Sequence, residues 1–155
     1  MDNRTTFIVC RHGSYDGNAN LSPNGIKQMK YLVEKVKEIN SAGLPVALLC
    51  STAPRAEQGG EILIKALDIP AERTIFDESL WEDNGHCGDG KRVRQLIDEH
   101  IGGGAILLSL SHLDMVPSMA YHVAQKFGHT NRFSDSDYGC GWLINSAGCA
   151  AFPNK

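Results

Sequence analysis

Phe7-Ile8-Val9-Cys10-Arg11-His12-Gly13 decides how this chain is read. Four apolar residues stop abruptly at an arginine, a histidine and a glycine. The apolar run reads as a buried strand, and the polar triplet as the loop leaving its carboxyl end. In open α/β sheets ligands bind just beyond that end of the strands. His12 is therefore a candidate nucleophile, and Arg11 a candidate holder of the anion it attacks. Alone the triplet is weak, because a histidine beside a strand is more often an ordinary hydrogen-bonded residue.

The pattern recurs twice. Pro45-Val46-Ala47-Leu48-Leu49-Cys50 runs at once into Ser51-Thr52-Ala53-Pro54-Arg55, and Ala105-Ile106-Leu107-Leu108-Ser109-Leu110 into Ser111-His112. Helical patterns lie between. Ser22 and Pro23 suit the N-cap and first position of a helix whose apolar stripe is Ile26, Met29, Val33, Val36 and Ile39, ended by Asn40-Ser41-Ala42-Gly43. A second helix is expected over about residues 53–67 with Ser51 or Thr52 as its cap, weakened in its middle by Gly59 and Gly60 unless they pack closely. Thr74-Ile75-Phe76 reads as a short strand leading into an acidic loop over residues 77–85. Val93, Leu96, Ile97 and Ile101 mark a helix capped by Asp89, and Gly102-Gly103-Gly104 breaks the chain after it. Asp114 and Pro117 open a last helix through Val116, Met119, Ala120, Val123 and Phe127, stopped by Gly128. Residues 138–152 read as a hairpin around Asn145-Ser146-Ala147-Gly148. Strands alternating with helices predict a three-layer α/β fold, a mostly parallel central sheet with helices on both faces.

Composition narrows the function classes. The 155 residues suit a single domain, 1–155, and the 42% hydrophobic and 21% charged fractions are ordinary for a soluble globular protein. A net charge of −3 argues against broad electrostatic binding to nucleic acid or an anionic membrane. No run is long and apolar enough to span a bilayer, and Met1-Asp2-Asn3-Arg4 lacks a signal-peptide pattern, which points to the cytoplasm. Five cysteines, at 10, 50, 87, 140 and 149, fit reduced thiols better than a disulfide framework. Composition does not set the oligomeric state.

Parallel strands present their carboxyl ends on one edge, so Arg11-His12, the segment 51–55 and Ser111-His112 can converge. Two histidines and two arginines around one pocket suit a phosphate or another oxyanion, because arginine forks match its oxygens and their field favours negative charge. The arginines also favour the neutral, nucleophilic form of His12. With arginines supplying the charge, no metal and no cofactor is required.

These residues resemble the histidine phosphatase superfamily, the phosphoglycerate-mutase-like proteins. Arg11-His12-Gly13 is similar to its signature. Leu21-Ser22-Pro23-Asn24-Gly25-Ile26-Lys27-Gln28 resembles its Leu-Thr-x-x-Gly-x-x-Gln helix start. Ser51 through Arg55-Ala56-Glu57-Gln58 and Glu61-Ile62-Leu63 resembles its second-helix segment, and Ser111-His112 its second histidine. The resemblance implies that His12 attacks phosphorus and carries the phosphoryl group. It implies that Arg11, Arg55, His112 and Asn18 bind the phosphate, and that Glu82, in the context Leu80-Trp81-Glu82, is the general acid. Asp114 is a second candidate acid, since another branch places its acid just after the second histidine. Leu113 stands where many relatives have glycine, and Gly59-Gly60 where they have Thr-Ala. The chain looks more like the compact phosphatases, including the small phosphohistidine phosphatases, than like the mutases. The expected substrate is a phosphorylated small molecule or a phosphoprotein. A protein phosphohistidine phosphatase and a non-catalytic phosphate-binding module are the alternatives.

Rival motifs fail on spacing. A cysteine phosphatase needs five residues between Cys and Arg, and Cys50 and Arg55 are separated by four. Gly85-His86-Cys87-Gly88-Asp89-Gly90-Lys91-Arg92 imitates a P-loop, but Arg92 replaces the hydroxyl residue that would hold magnesium. No Gly-x-Ser-x-Gly elbow is present. His86 and Cys87 have no second pair at zinc spacing. His86, His100, His122 and His129 read as structural or exposed, while Tyr15, Trp81, Trp142 and Arg132 either line the pocket or pack.

Overall fold

The computed structural model describes residues 5–83, 85–101 and 105–153. Among these residues six strands form one sheet: β1 (Thr6–Arg11), β2 (Val46–Cys50), β3 (Thr74–Phe76), β4 (Ile106–Ser111), β5 (Gly141–Asn145) and β6 (Gly148–Phe152). Their spatial order is β3-β2-β4-β1-β5-β6. The first four are mutually parallel, with Cys10 beside Leu110 and Leu110 beside Cys50 in register. The hairpin β5–β6 adds an antiparallel edge next to β1. A two-stranded return with a short turn can join only antiparallel strands, so the sheet is mixed at that side alone.

Strand alternation divides the core in two. Ile8, Cys10, Leu48, Cys50, Leu108 and Leu110 point to helices α1 (Pro23–Ile39) and α2 (Pro54–Leu67). Phe7, Val9, Leu49 and Leu107 point to α3 (Gly90–His100) and α4 (Met115–Lys126). Each fully buried Val, Leu or Met contributes roughly 1.5–3 kcal/mol. The layer order is helix, sheet, helix, as the alternating pattern predicts.

Local expectations fare unevenly. Ser22 caps α1 by accepting from the Gly25 N–H at 3.0 Å, and Asp89 caps α3 through the Arg92 N–H at 3.1 Å. The buried stripe of α1 is Gly25, Met29, Leu32, Val33 and Val36, whereas Ile26 is 37% and Ile39 43% exposed. At the helical period those two isoleucines fall on opposite margins of the stripe, and Leu32 falls inside it. Neither Ser51 nor Thr52 caps α2. The cap residue is Ala53, with no side-chain hydrogen bond, because the Ser51 hydroxyl is used elsewhere. Gly59 and Gly60 do pack closely: a Cβ would stand 2.9 Å from Met29 Sδ at the first and 3.0 Å from Cys50 Sγ at the second. The expected break at Gly102-Gly103-Gly104 lies outside the described residues, as do Asn84 of the acidic loop and Met1-Asp2-Asn3-Arg4. Among the described residues no helix is long and apolar enough to cross a membrane.

Candidate active site

β2, β4 and β1 are neighbours, so their carboxyl ends deliver three segments to one place. The backbone beyond β1 is held by the His12 N–H on the Ser111 carbonyl at 3.0 Å and the Arg11 N–H on the Cys140 carbonyl at 2.9 Å. Gly13 then passes flush against the start of α1. A Cβ on Gly13 would stand 2.6 Å from the Gly25 carbonyl oxygen, and one on Gly25 would stand 2.1 Å from the Ser14 oxygen. Only paired glycines permit that approach. The following loop is tied down by two glutamines: Gln28 accepts from the Ser14 N–H and Gln58 from the Leu21 N–H, each at 2.8 Å.

His12 is 1% exposed. Its Nδ1 lies 2.7 Å from the Gly13 carbonyl oxygen. A carbonyl can only accept, so Nδ1 carries the proton and Nε2 keeps its lone pair. The Arg55 Nε–H donates to that Nε2 at 3.2 Å. Burial first, and then the nearby His112, Arg55 and Arg11, push the His12 pKa down to about 3, against the Gly13 hydrogen bond that raises it. His12 is thus a neutral imidazole with one fixed tautomer at neutral pH.

Arg55 stands at the second position of α2 and is itself 1% exposed. Its Nη2 donates to Oδ2 of Asp83, and its guanidinium lies 4.5 Å from the Tyr15 ring centroid. Arg11 stacks on Tyr138 at 3.8 Å and donates from Nη1 to the Ser136 carbonyl at 3.4 Å. The Nε of Arg11 is buried with no acceptor among the described residues, an unsatisfied donor of the kind an anion would fill. Tyr15 and Tyr138 meet edge to face, 6.2 Å apart, beside His12.

His112, also 1% exposed, sits with its ring 4.9 Å from that of His12. The Ala53 N–H donates to Ser51 Oγ at 3.1 Å, and Ser51 Oγ lies 2.8 Å from Nε2 of His112. On the other side His112 Nδ1 lies 3.1 Å from Asp83 Oδ2. A carboxylate only accepts, so Nδ1 carries the proton and the Ser51 hydroxyl donates to Nε2. Burial lowers the His112 pKa to about 4; Asp83 opposes this and Arg55 adds to it. Burial works to raise the pKa of Asp83, but hydrogen bonds from Arg55 and Trp81 and the charges of His112 and Arg55 hold it below the usual range.

The structure brings Arg11, His12, Arg55 and His112 together. Among the described residues, three other candidates make no hydrogen bond or ion pair to this set. Asn18 is exposed, and its backbone N–H bonds Asp16 Oδ1 at 2.8 Å in a local turn. Asp114 is exposed at the start of α4 without a side-chain cap hydrogen bond. Glu82 is half-buried, and among the described residues no hydrogen bond or ion pair joins it to His12, Arg55 or His112. The carboxylate in contact is the next one, Asp83, which sequence reasoning passed over; Tyr138 and the Ser51 contact were also missed. Trp142 packs on Phe133 and bonds the Ser134 carbonyl, and Arg132 is exposed. His122 pairs with Asp98 and His129 with the Asn145 carbonyl.

His12, Asp83 and His112 place ligand-type atoms within 4.8 Å of one another. The Arg55 guanidinium hydrogen-bonds to two of the three, so an entering cation would meet fixed positive charge. Donors set around an arginine suit an anion instead.

No protein-family model and no curated protein matches the sequence. Solved structures do match the fold. The protein histidine phosphatase SixA bound to tungstate aligns at TM-score 0.61 and 20% identity, over 94% of this chain and 93% of that one. A putative phosphohistidine phosphatase SixA from Nakamurella multipartitia aligns at TM-score 0.66 and 14% identity, over 94% and 86%. A mycobacterial glucosyl-3-phosphoglycerate phosphatase aligns at TM-score 0.66 and 12% identity, over 94% and 95%. The chain therefore has the fold of the histidine phosphatase superfamily, the phosphoglycerate-mutase-like proteins.

Proposed function

We propose that the chain is a phosphatase that hydrolyses a phosphomonoester through a phosphohistidine on Nε2 of His12. The observation that carries this reading is the fixed tautomer of His12, whose Nδ1–H is engaged by Gly13 and whose Nε2 faces the Arg55 guanidinium. Phosphoryl oxygens draw the Arg55 N–H off the lone pair, and Nε2 attacks phosphorus as the bond to the leaving oxygen breaks. Arg11, Arg55 and the Nδ1–H of His112 hold the three remaining oxygens, which carry the transition-state charge. Water then attacks the phosphohistidine, releasing phosphate and restoring the neutral imidazole.

The experiment is rapid quenching with a labelled aryl phosphate. The expected product is protein-bound phosphate that is labile in acid and stable in alkali, on the peptide containing His12, and none in a folded His12→Ala variant. Full turnover by His12→Ala sinks the proposal. A protein phosphohistidine is the second reading, favoured by the lack, among the described residues, of any hydrogen bond or ion pair from Glu82 to His12, Arg55 or His112 and by the solved neighbours named as histidine phosphatases. An imidazole leaving group needs less help from an acid than an alkoxide does. Turnover of a phosphohistidine protein well above that of any phosphomonoester would select it.

A further inference from the structure

The carboxylate of Asp83 occupies a telling position. Its Oδ2 accepts from both Arg55 Nη2 and His112 Nδ1, two of the donors that the proposed reaction needs for phosphoryl oxygens. Its Oδ1 accepts from the Trp81 indole at 2.9 Å, and that indole is stacked on His86 with ring centroids 3.5 Å apart. The side chain is 30% exposed, whereas those of Arg55 and His112 are 1% exposed. One oxygen is therefore pushed into the anion site while the group as a whole stands at its mouth.

We infer that Asp83, and not Glu82, is the carboxyl of the reaction: it stands in the place of a phosphoryl oxygen until substrate displaces it toward the leaving group, to which it gives a proton. The inference rests on the phosphatase reading above. A buried arginine needs a counter-charge, and Asp83 supplies it until the substrate dianion takes over, so the exchange never strands Arg55. The displaced carboxyl loses the arginine and gains a dianion as neighbour, and both changes raise its affinity for a proton. The indole N–H of Trp81 remains within reach of Oδ1 as a tether.

The steps balance. Once displaced, the Asp83 carboxylate takes up a proton from solvent; as the His12 Nε2–P bond forms, the P–O bond breaks with its electron pair going to the leaving oxygen, which takes that proton from Asp83. In the second step water bonds to phosphorus and passes its proton to the Asp83 carboxylate, while the N–P electron pair returns to Nε2.

Asp83→Asn keeps the shape and the acceptor oxygen but has neither the charge nor a transferable proton. Two measurements decide the matter. Calorimetric binding of tungstate and of inorganic phosphate should tighten about 10-fold in Asp83→Asn, because a competing anion is gone. Turnover of an alkyl phosphate should fall by about 10²–10⁴, while that of 4-nitrophenyl phosphate, whose leaving group needs no proton, should fall far less. Anion affinity that is unchanged or weaker, in protein shown folded by circular dichroism, overturns the inference. So does an equal loss on both substrates, or a leaving-group-selective loss in Glu82→Gln and not in Asp83→Asn. If Asp83→Asn melts too low to assay, Asp83→Ser is measured instead, and the rise in melting temperature on adding phosphate should exceed that of the wild type; a smaller rise overturns the inference. Anion binding needs no turnover, so it is decided separately from the fate of His12→Ala.

Discussion

Ser51 Oγ lies 2.8 Å from Nε2 of His112, and this contact determines which nitrogen of the second imidazole faces the anion site. With Nε2 accepting from the hydroxyl, Nδ1–H is the nitrogen left to donate toward Asp83 or a phosphoryl oxygen. A serine at the end of one strand thus sets the protonation pattern of a histidine at the end of its neighbour.

Ser51→Ala removes that donor and leaves Nε2 of a buried ring unpaired, a loss of about 1–3 kcal/mol in stability. The ring becomes free to take the other tautomer, with its lone pair facing the phosphate. The expected kinetic result is a KM for an aryl phosphate raised severalfold or more, with Ser51→Thr restoring most of it. Steady-state kinetics on the three proteins checks this, and an unchanged KM in Ser51→Ala counts against the positioning role.

The contact between Gly13 and Gly25 predicts a sharp intolerance of side chains. Gly25→Ala would drive a methyl to 2.1 Å from the Ser14 oxygen, and Gly13→Ala one to 2.6 Å from the Gly25 oxygen. Backbone atoms cannot rotate aside as a side chain can, so each variant should lose at least about 1–3 kcal/mol and, with it, the alignment of His12. Gly17→Ala, where nothing lies within 4 Å of the added carbon, is the control and should stay within about 0.5 kcal/mol of wild type. Urea denaturation of the three variants gives the ranking.

Acid should unfold the protein by a route that runs through its two site histidines. Their pKa values stand at about 3 and about 4 in the fold, against 6.5 for a free side chain. Between those limits the unfolded chain binds protons that the folded chain refuses, so stability rises with pH across the interval and is lost as pH falls below 6.5. Two such groups correspond to a slope of roughly 2.7 kcal/mol per pH unit near the middle of the interval. Denaturation midpoints measured from neutral pH down to about pH 4.5 should show this fall. It should flatten in the double variant His12→Gln, His112→Gln. An equally steep fall in the double variant would mean that other groups carry the linkage.

Much of this was legible in the sequence because strands and caps are local. The runs 7–10, 46–50 and 106–110 announce buried strands by themselves, and polar residues at their ends announce an edge. Ser22 before Pro23 and Asp89 before Gly90 mark helix starts by the chemistry of a single side chain. Side chains facing one another across the fold leave no such mark. Glu82 and Asp83 are adjacent carboxylates in an irregular loop, where no period says which one points inward. The sequence context favours Glu82, and the hydrogen bonds belong to Asp83. Tyr138 escaped for a related reason: its place beside His12 depends on the Gly139 N–H reaching the carbonyls of Arg11 and His12, more than a hundred residues away. Ser51 read as a helix cap because that is what a serine before a helix usually does, and the demand of His112 on its hydroxyl is a long-range fact.

The position of β4 between β1 and β2 has a kinetic consequence. His12 follows β1 and Arg55 opens the helix after β2, and these two strands are joined into one sheet only when a third, some sixty residues further along the chain than β2, takes its place between them. Closing such loops is slow compared with winding helices. During refolding, helix content should therefore return first, and the ability to bind an oxyanion should return only when the central strand has been inserted. Regain of anion binding would then report completion of the sheet, with the pocket serving as the last joint to close.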